Sequence, residues 1–161
     1  MTLCLSPLAQ ERVQQFFRAH TGDPSLFVPA LSISAGAAAG LLTHVLGISA
    51  ITLGRRVLVA PGLVWRHEEE GTVSLPAALV VHEAAHVLQY RSDGVLRFLA
   101  GYVRDYLAGL REGRRFDAAA RQAAYRAIPA ERAAREAAAG YRAWSRAQAA
   151  PEDRLSVLVR A

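Results

Sequence analysis

Apolar residues recur at the spacing of an α-helix through most of this chain. In residues 7–20, Leu8, Val13, Phe16 and Phe17 can share one face, and polar residues lie between them. Such a stripe predicts an amphipathic helix with one buried side. The other segments that we interpret as helices are 35–46, the segment around 82–86, 95–110, 116–127 and 129–149.

Residues 48–60 have a different pattern, because β-forming residues such as Ile51 and Val57 are frequent there. This composition favours extended structure, and the Arg-Arg pair at 55–56 favours a turn or a sheet edge within it. The segment precedes the helix around 82–86 in the chain. We therefore predict a small sheet or hairpin packed beside that helix.

Helices together with this one extended segment predict an α+β fold that is mostly helical. A chain of 161 residues with 52% hydrophobic residues is large enough to bury one core. We find no repeat and no domain boundary, so we predict a single domain over residues 1–161. Within it, residues 1–30 form an N-terminal helix and linker, and residues 150–161 form a tail or a short final strand.

The helix around 82–86 contains the candidate metal-binding and catalytic residues His82, Glu83 and His86. Histidines four residues apart project from one face of a helix, where their imidazoles can bind Zn²⁺ together. Glu83 would serve as the general base that takes a proton from a zinc-activated water. Ser74 is a suitable N-cap for this helix, and Pro76 suits its first turn.

A catalytic zinc has three protein ligands, so one ligand must come from outside this helix. Glu131 is the best candidate, because Pro129 places it near a helix start and the small Ala134 would allow that helix to approach closely. Glu136 is the reserve candidate. We also considered a further set of ionisable residues: Asp93, Asp105, Glu112, Asp117, His44 and His67.

Charge and cysteine content exclude several classes of function. The formal net charge is +5, and all 19 basic residues are arginines scattered mostly over the second half. Arginines interspersed with acidic residues usually form a solvated surface, so we expect no nucleic-acid partner. Cys4 is the only cysteine, so no intrachain disulfide is available.

Membrane association and a signal peptide are not indicated. Residues 24–54 lack charged side chains but are rich in small and polar residues, which makes them weakly hydrophobic. The first residues lack a basic segment followed by a long apolar one. We expect a cytoplasmic protein, or one that is exported without a signal peptide.

Two segments resemble a known family. Residues 50–57 (AITLGRRV) and 81–90 (VHEAAHVLQY) are similar to the core domain associated with extracellular contractile injection systems, a group of bacterial zinc metallopeptidases. The motif with a distal Glu-x-x-Ala at 131–134 also resembles the gluzincin metallopeptidases. This resemblance implies that His82 and His86 are zinc ligands and that Glu83 is the catalytic base.

Gln89 matches a family glutamine three residues after the second histidine, and we expect it to hydrogen-bond near the metal. Tyr90 stands where the family often has a second glutamine.

The pattern as a whole predicts a zinc metallo-endopeptidase of gluzincin type acting on a peptide or protein substrate. Residues 51–59 would bind that substrate by strand addition. Tyr125, Tyr141 or an arginine would donate a hydrogen bond to the transition state. Two alternatives stay open: a catalytically silent, zinc-stabilised accessory module of a bacterial secretion or injection apparatus, and a membrane-associated protease embedding residues 24–54.

Overall fold

A computed structural model of the chain describes residues 2–46, 48–66, 73–114, 117–148 and 154–160. The helices are α1 (Pro7–Thr21), α2 (Ala37–Leu46), α3 (Ala77–Asp93), α4 (Val95–Gly113), α5 (Ala118–Ala127) and α6 (Pro129–Ala147), with a short 3₁₀ helix over Pro61–Leu63. The strands are β1 (Thr2–Leu5), β2 (Ser32–Ser34), β3 (Ala50–Leu53), β4 (Arg56–Val59), β5 (Trp65–Arg66), β6 (Val73–Pro76) and β7 (Arg154–Arg160). The fold is therefore α+β and mostly helical, as predicted.

The sheet is larger than the small sheet or hairpin that we predicted. Its seven strands lie in the order β3-β4-β2-β1-β7-β6-β5. β2 and β4 pair in parallel, and the other neighbouring strands pair antiparallel. The predicted hairpin is present as β3 and β4, joined by a turn at Gly54, whose φ of 64° suits glycine. β3 therefore forms one edge of the sheet.

The segment before α3 differs from the prediction. Ser74 does not cap this helix, because residues 73–76 form β6 and pair with β7 in the register Leu75 to Leu155. α3 begins at Ala77, and Pro76 directly precedes it. The prediction that Ser74 caps the helix was wrong because residues 73–76 pair with a strand about 80 residues later in the chain.

The final segment is a strand and not a loose tail. β7 lies between β1 and β6, and the side chains of Leu155 and Val157 are buried. The N-terminal segment also holds β1, which the prediction of a helix and linker over residues 1–30 omitted. The polar composition of residues 65–71 favours an exposed loop; residues 65–66 form β5, and 67–71 lie outside the described residues.

The core lies between the sheet and the helices α1, α3 and α6. α1 buries Val13, Phe16 and Phe17, and Ser6 caps it by accepting a hydrogen bond from the Ala9 amide. α6 packs along α3, and Ala134 is fully buried, in agreement with the close approach that we predicted. This pairing of α3 with α6 brings the motif helix and Glu131 together.

The uncharged stretch 24–54 divides into β2, α2 and β3 with loops between them. Within the described residues, no helix combines the length and the apolar character that a membrane span requires.

Candidate metal centre

The two motif histidines lie one turn apart on α3 and face the same way. Their ring centroids are 4.8 Å apart, and the Nε2 atoms of His82 and His86 are separated by 3.2 Å. His86 is buried, whereas His82 is partly exposed. Both imidazoles therefore present the same nitrogen to one point beside the helix.

Glu131, in the first turn of α6, points at this pair. Its Oε2 lies 3.3 Å from Nε2 of His82, and its Oε1 lies 3.2 Å from Nε2 of His86. The carboxylate is 3% exposed. These three residues form a cluster that could hold a metal ion, with one ligand atom from each within 4.8 Å of the others. The structure thus brings together the predicted ligand set.

The spacing of the donor atoms fits zinc. Four ligands at tetrahedral positions about 2.0–2.1 Å from Zn²⁺ lie about 3.3 Å from one another. The two imidazole Nε2 atoms, 3.2 Å apart, agree with that value. Each lies close to a different oxygen of Glu131, His82 at 3.3 Å from Oε2 and His86 at 3.2 Å from Oε1, so the carboxylate would bind a metal through both oxygens or turn to present one of them. In addition, Oε2 of Glu131 is buried without a well-aligned hydrogen bond from any described residue. Such an atom has a lone pair available for a cation.

The other ligand candidates do not join this cluster. Glu136 and His44 are exposed, and Asp105 pairs with Arg104 at 2.8 Å. Asp117 caps α5 by accepting a hydrogen bond from the Ala120 amide at 2.8 Å. Asp93 and Glu112 are exposed at the ends of α3 and α4. His67 lies outside the described residues.

Glu83 lies on the inner side of α3 and is 4% exposed. The Thr52 hydroxyl on β3 donates a 2.6 Å hydrogen bond to its Oε2. Burial raises the pKa of Glu83, and this outweighs the lowering of its pKa by Thr52 and the two histidines. A carboxylate with a raised pKa accepts a proton more readily near neutral pH, as a general base requires.

Gln89 makes the hydrogen bond that we expected. Its Oε1 lies 2.8 Å from Nδ1 of His86, and its Nε2 donates to the Ala130 carbonyl at 3.1 Å. Because Oε1 can only accept, Nδ1 of His86 must carry the proton, which leaves the Nε2 lone pair free for a metal. Gln89 thereby links α3 to the start of α6, next to Glu131.

We expect Gln89→Ala to weaken zinc binding about 10- to 100-fold, because the substitution frees the orientation and tautomer of His86. Competition with a chromogenic chelator measures this affinity. Gln15→Ala, on the exposed face of α1, is the matched control and should bind zinc as the parent does. Equal affinity in Gln89→Ala and the parent would contradict the role given to Gln89.

Two tyrosines from outside α3 complete the surroundings of Glu131. The Tyr102 hydroxyl on α4 donates a 2.8 Å hydrogen bond to Oε1 of Glu131, and the Tyr125 hydroxyl on α5 lies close enough to this carboxylate to lower its pKa. Burial and the nearby negative charge raise the pKa of both phenols, so they stay protonated. Tyr141 is instead packed in the core against Phe16, so the expectation that it donates at the site is wrong.

Sequence reasoning missed Tyr102. Apolar residues such as Leu96 and Val103 recur in α4 at helical spacing, which predicts a buried face, yet Leu96 is 84% and Val103 53% exposed. Tyr102 and Phe98 lie one turn apart on the other side of α4, which faces α3. A pair of aromatic residues spaced by four was the available signal, but nothing local indicated that they pack beside the motif helix.

The metal-free protein should be most stable in mildly acidic solution. Burial lowers the pKa of His86, but Glu131 raises it more, so the net shift is upward. Burial raises the pKa of Glu131, but the two histidines and Tyr125 lower it further, so the net shift is downward. Stability from His86 is complete below about pH 6.5 and is lost above it, and stability from Glu131 is lost below about pH 4.3.

We therefore expect the melting temperature of the chelated protein to fall by about 3–6 °C from pH 6 towards pH 9. Zinc should largely remove this fall, because the metal replaces the proton between the ligands. Thermal unfolding across this pH range measures the effect, and Glu131→Gln should flatten it. A chelated protein that becomes more stable as the pH rises would contradict the assignment.

Two cavities meet at the cluster. One is a narrow pocket of about 130 Å³ with an apolar lining that includes Ile51, Leu53 and Phe98. The other is a wide groove of about 1010 Å³ between the β3 side of the molecule and the helices α5 and α6. His82, Glu83, Tyr102 and Tyr125 border both cavities. A ligand in either cavity would therefore reach the candidate metal centre.

Comparison with protein families, curated proteins and solved structures finds no match for this chain. Any assignment of function therefore rests on the site itself.

Proposed function

We propose that this protein is a zinc-dependent endopeptidase. The observation that carries the proposal is the placement of buried Glu83 beside the cluster of His82, His86 and Glu131, at the meeting point of two open cavities. Two imidazoles and one carboxylate are the ligand set of several zinc peptidases, and they leave one position for substrate or water. The intact glutamate next to the first histidine favours hydrolysis over a purely structural metal site.

Zinc, when bound, would lower the pKa of a water molecule and polarise the scissile carbonyl. Glu83 would accept the proton of the attacking water and deliver it to the leaving amine. The Thr52 hydroxyl holds the Glu83 carboxylate by a 2.6 Å hydrogen bond, which limits its motion during this transfer. The raised pKa of Glu83 favours the step in which it takes up the proton.

The edge strand β3 is the proposed docking site for the peptide backbone. The Ser49 carbonyl accepts from Ala60, so the backbone groups of Ala50 and Thr52, which alternate with it, face away from β4. The Tyr90 hydroxyl already donates to the Thr52 carbonyl at 3.2 Å. A peptide would therefore pair with the strand around Ala50. Residues 56–59, the second half of the range we predicted, lie in β4 between β3 and β2 and do not form this edge.

Tyr125 is the proposed donor to the developing oxyanion, since the one hydroxyl proton of Tyr102 already bonds to Oε1 of Glu131. Both tyrosines are kept protonated by their surroundings, and both lie beside Glu131. A neutral hydroxyl beside the metal can stabilise negative charge as it forms on the carbonyl oxygen.

The resemblance of residues 50–57 and 81–90 to the contractile injection system core domain supports a gluzincin-like assignment in a bacterial setting. Glu131 and Ala134 occupy the Glu-x-x-Ala positions, and both are buried against α3 in agreement with that pattern. The proposed substrate is a peptide or protein, in the cytoplasm or after export.

The proposal is tested by metal content and peptide cleavage measured on one preparation. We expect about one zinc per chain by elemental mass spectrometry. We also expect cleavage of a diverse peptide mixture, followed by mass spectrometry, that stops with a chelator and returns with zinc. A zinc-loaded, folded protein that cleaves nothing in the mixture would favour the silent accessory module. A protein that binds no zinc would contradict both.

A further inference from the structure

We infer that the groove selects polypeptide substrates with acidic residues on one side of the scissile bond, about two and four residues from it. This inference rests on the proposed function. It comes from the arginines that border the groove of about 1010 Å³, which the chemistry described so far does not use.

The face of α6 that begins at the candidate metal ligand continues along the groove. Arg135, Ala138 and Arg142 border the groove and follow Glu131 by four, seven and eleven residues. Residues at this spacing share one side of a helix. With a rise of about 1.5 Å per residue, Arg135 lies about 6 Å and Arg142 about 16 Å along α6 from Glu131.

α5 also places an arginine at the groove, at a distance from the candidate metal centre. Tyr125 lies beside Glu131, and Arg121, one turn earlier in the helix, borders the groove. α5 and α6 meet at Ile128, so both helices extend away from the metal end of the groove. Together they place cationic side chains at increasing distances from the site of hydrolysis.

Arg142 is the arginine of this wall on which the inference mainly rests. Among the described residues that border the groove, Glu83 is the one acidic side chain, and it is buried. Arg135 contacts Glu131 at 3.7 Å and donates to the Arg126 carbonyl. Arg142 is exposed and makes no ion pair with the part of the chain that the structure describes. A concave cationic surface attracts anions more strongly than the same charges on a convex one.

The wall of the groove opposite the arginines is uncharged, and its edge strand favours a peptide as the molecule that carries the acidic groups. Ile48, Ala50, Leu63 and Leu79 border the groove there and are uncharged. The backbone groups of Ala50 face outward, and an N–H next to a C=O matches the alternating acceptors and donors of an extended peptide, whereas a phosphate backbone has acceptors alone. A peptide on β3 would turn alternate side chains towards the arginines.

The distances set the register of the acidic residues. An extended peptide advances about 3.3 Å per residue and turns every second side chain to the same face. The second and fourth residues from the metal, about 7 and 13 Å away, are therefore the ones that come nearest to Arg135 and to the long side chain of Arg142. Carboxylates at these positions would pair with Arg135 or Arg121 and with Arg142, respectively. The apolar pocket of about 130 Å³ takes the chain on the other side of the metal, where no arginine lines the cavity.

The test uses three fluorophore-labelled peptides that share one sequence, taken from a peptide that the enzyme cleaves or, if none is found, from a neutral extended sequence. One has glutamine at the second and fourth positions on both sides of the cleaved or central bond, and two others have glutamate at these positions on one side only. Binding to zinc-loaded Glu83→Gln is measured by anisotropy, and cleavage is measured with the parent enzyme. We expect one of the two acidic peptides to bind about three- to tenfold more tightly than the glutamine peptide at low salt. This preference should shrink as salt rises from about 10 mM to about 500 mM.

Arg142→Gln should reduce the ratio of acidic to neutral peptide affinity. Restoring glutamine at the fourth position of the acidic peptide should give the same loss. Arg132→Gln is the matched control, since it removes the same charge from an exposed position of α6 that does not border the groove. Equal affinities for all three peptides, or equal loss in both variants, would overturn the inference. Tighter, Arg142-dependent binding of a single-stranded oligonucleotide would also overturn it.

This experiment distinguishes a failure of the proposed hydrolysis from a failure of the inferred preference for acidic peptides. Selective binding of one acidic peptide without cleavage would support the inference and contradict hydrolysis. Cleavage of all three peptides at the same rate would support hydrolysis and overturn the inference.

Discussion

Glu83→Gln is expected to lower peptide hydrolysis by about 10²- to 10⁴-fold while zinc stays bound. The substitution keeps the size of the side chain and an oxygen that can accept from Thr52, but it removes the site that takes the proton. The carboxylate of Glu83 bonds to Thr52 and not to His82 or His86, so the ligand geometry should persist.

Three measurements on the same variant separate chemistry from structure: zinc content, thermal stability and the rate of cleavage of one peptide. Glu136→Gln makes the same chemical change at an exposed position of α6 and should leave all three at the parental values. If Glu83→Gln cleaves at the parental rate, Glu83 is not the general base and the proposed mechanism is wrong.

Glu131→Ala should remove the metal, and activity should disappear with it. Glu131 supplies the one oxygen of the ligand set, and its loss should cost more than the 10- to 100-fold that supporting residues such as Gln89 contribute. The loss should also leave His82 and His86 with two facing nitrogens 3.2 Å apart and no anion between them. We therefore expect zinc content well below that of the parent after dialysis.

Glu136→Ala, five residues later on the same helix, is the control for a general effect on α6. Circular dichroism of both variants establishes that they are folded before the metal content is compared. Zinc retained in Glu131→Ala at the parental level would mean that the third ligand lies elsewhere, and the first residue to test would then be His67.

The helices were predictable because the sequence of each segment contains its own apolar spacing and its own start or stop residues. Phe16 and Phe17 belong to an apolar stripe bounded by Gly22, and α1 follows it to within one residue. α6 begins at Pro129, as its fixed φ favours. Helical hydrogen bonds join residues four apart, so a local pattern is enough to indicate them.

The sheet was largely unpredictable for the opposite reason. Ser74 and Pro76 have the residue types of a helix start, yet pairing with Leu155 and its neighbours draws them into β6. β1 is four residues long, and its partners β2 and β7 lie far away in the chain. Strand pairing is decided by such distant partners, which a local pattern does not contain.

The candidate site also contains some residues that a local pattern predicts and others that depend on tertiary packing. His82, Glu83 and His86 lie on one helix, and their spacing alone predicts a common face. Glu131 was inferred because a metal demanded a third ligand, and its nearness to α3 depends on helix packing at Ala134. The contributions of Thr52 and Tyr102 come from β3 and α4, whose positions beside α3 follow from tertiary packing.

The central place of β7 has a consequence for the order of events during synthesis. β7 joins two parts of the sheet, one formed by β3, β4, β2 and β1 and the other by β6 and β5. The ribosome makes β7 after all three candidate metal ligands, so these residues emerge while the sheet is still divided. A nascent chain would thus hold the candidate metal-binding set before β7 joins the two parts of the sheet, and the complete fold can form only once β7 has been made.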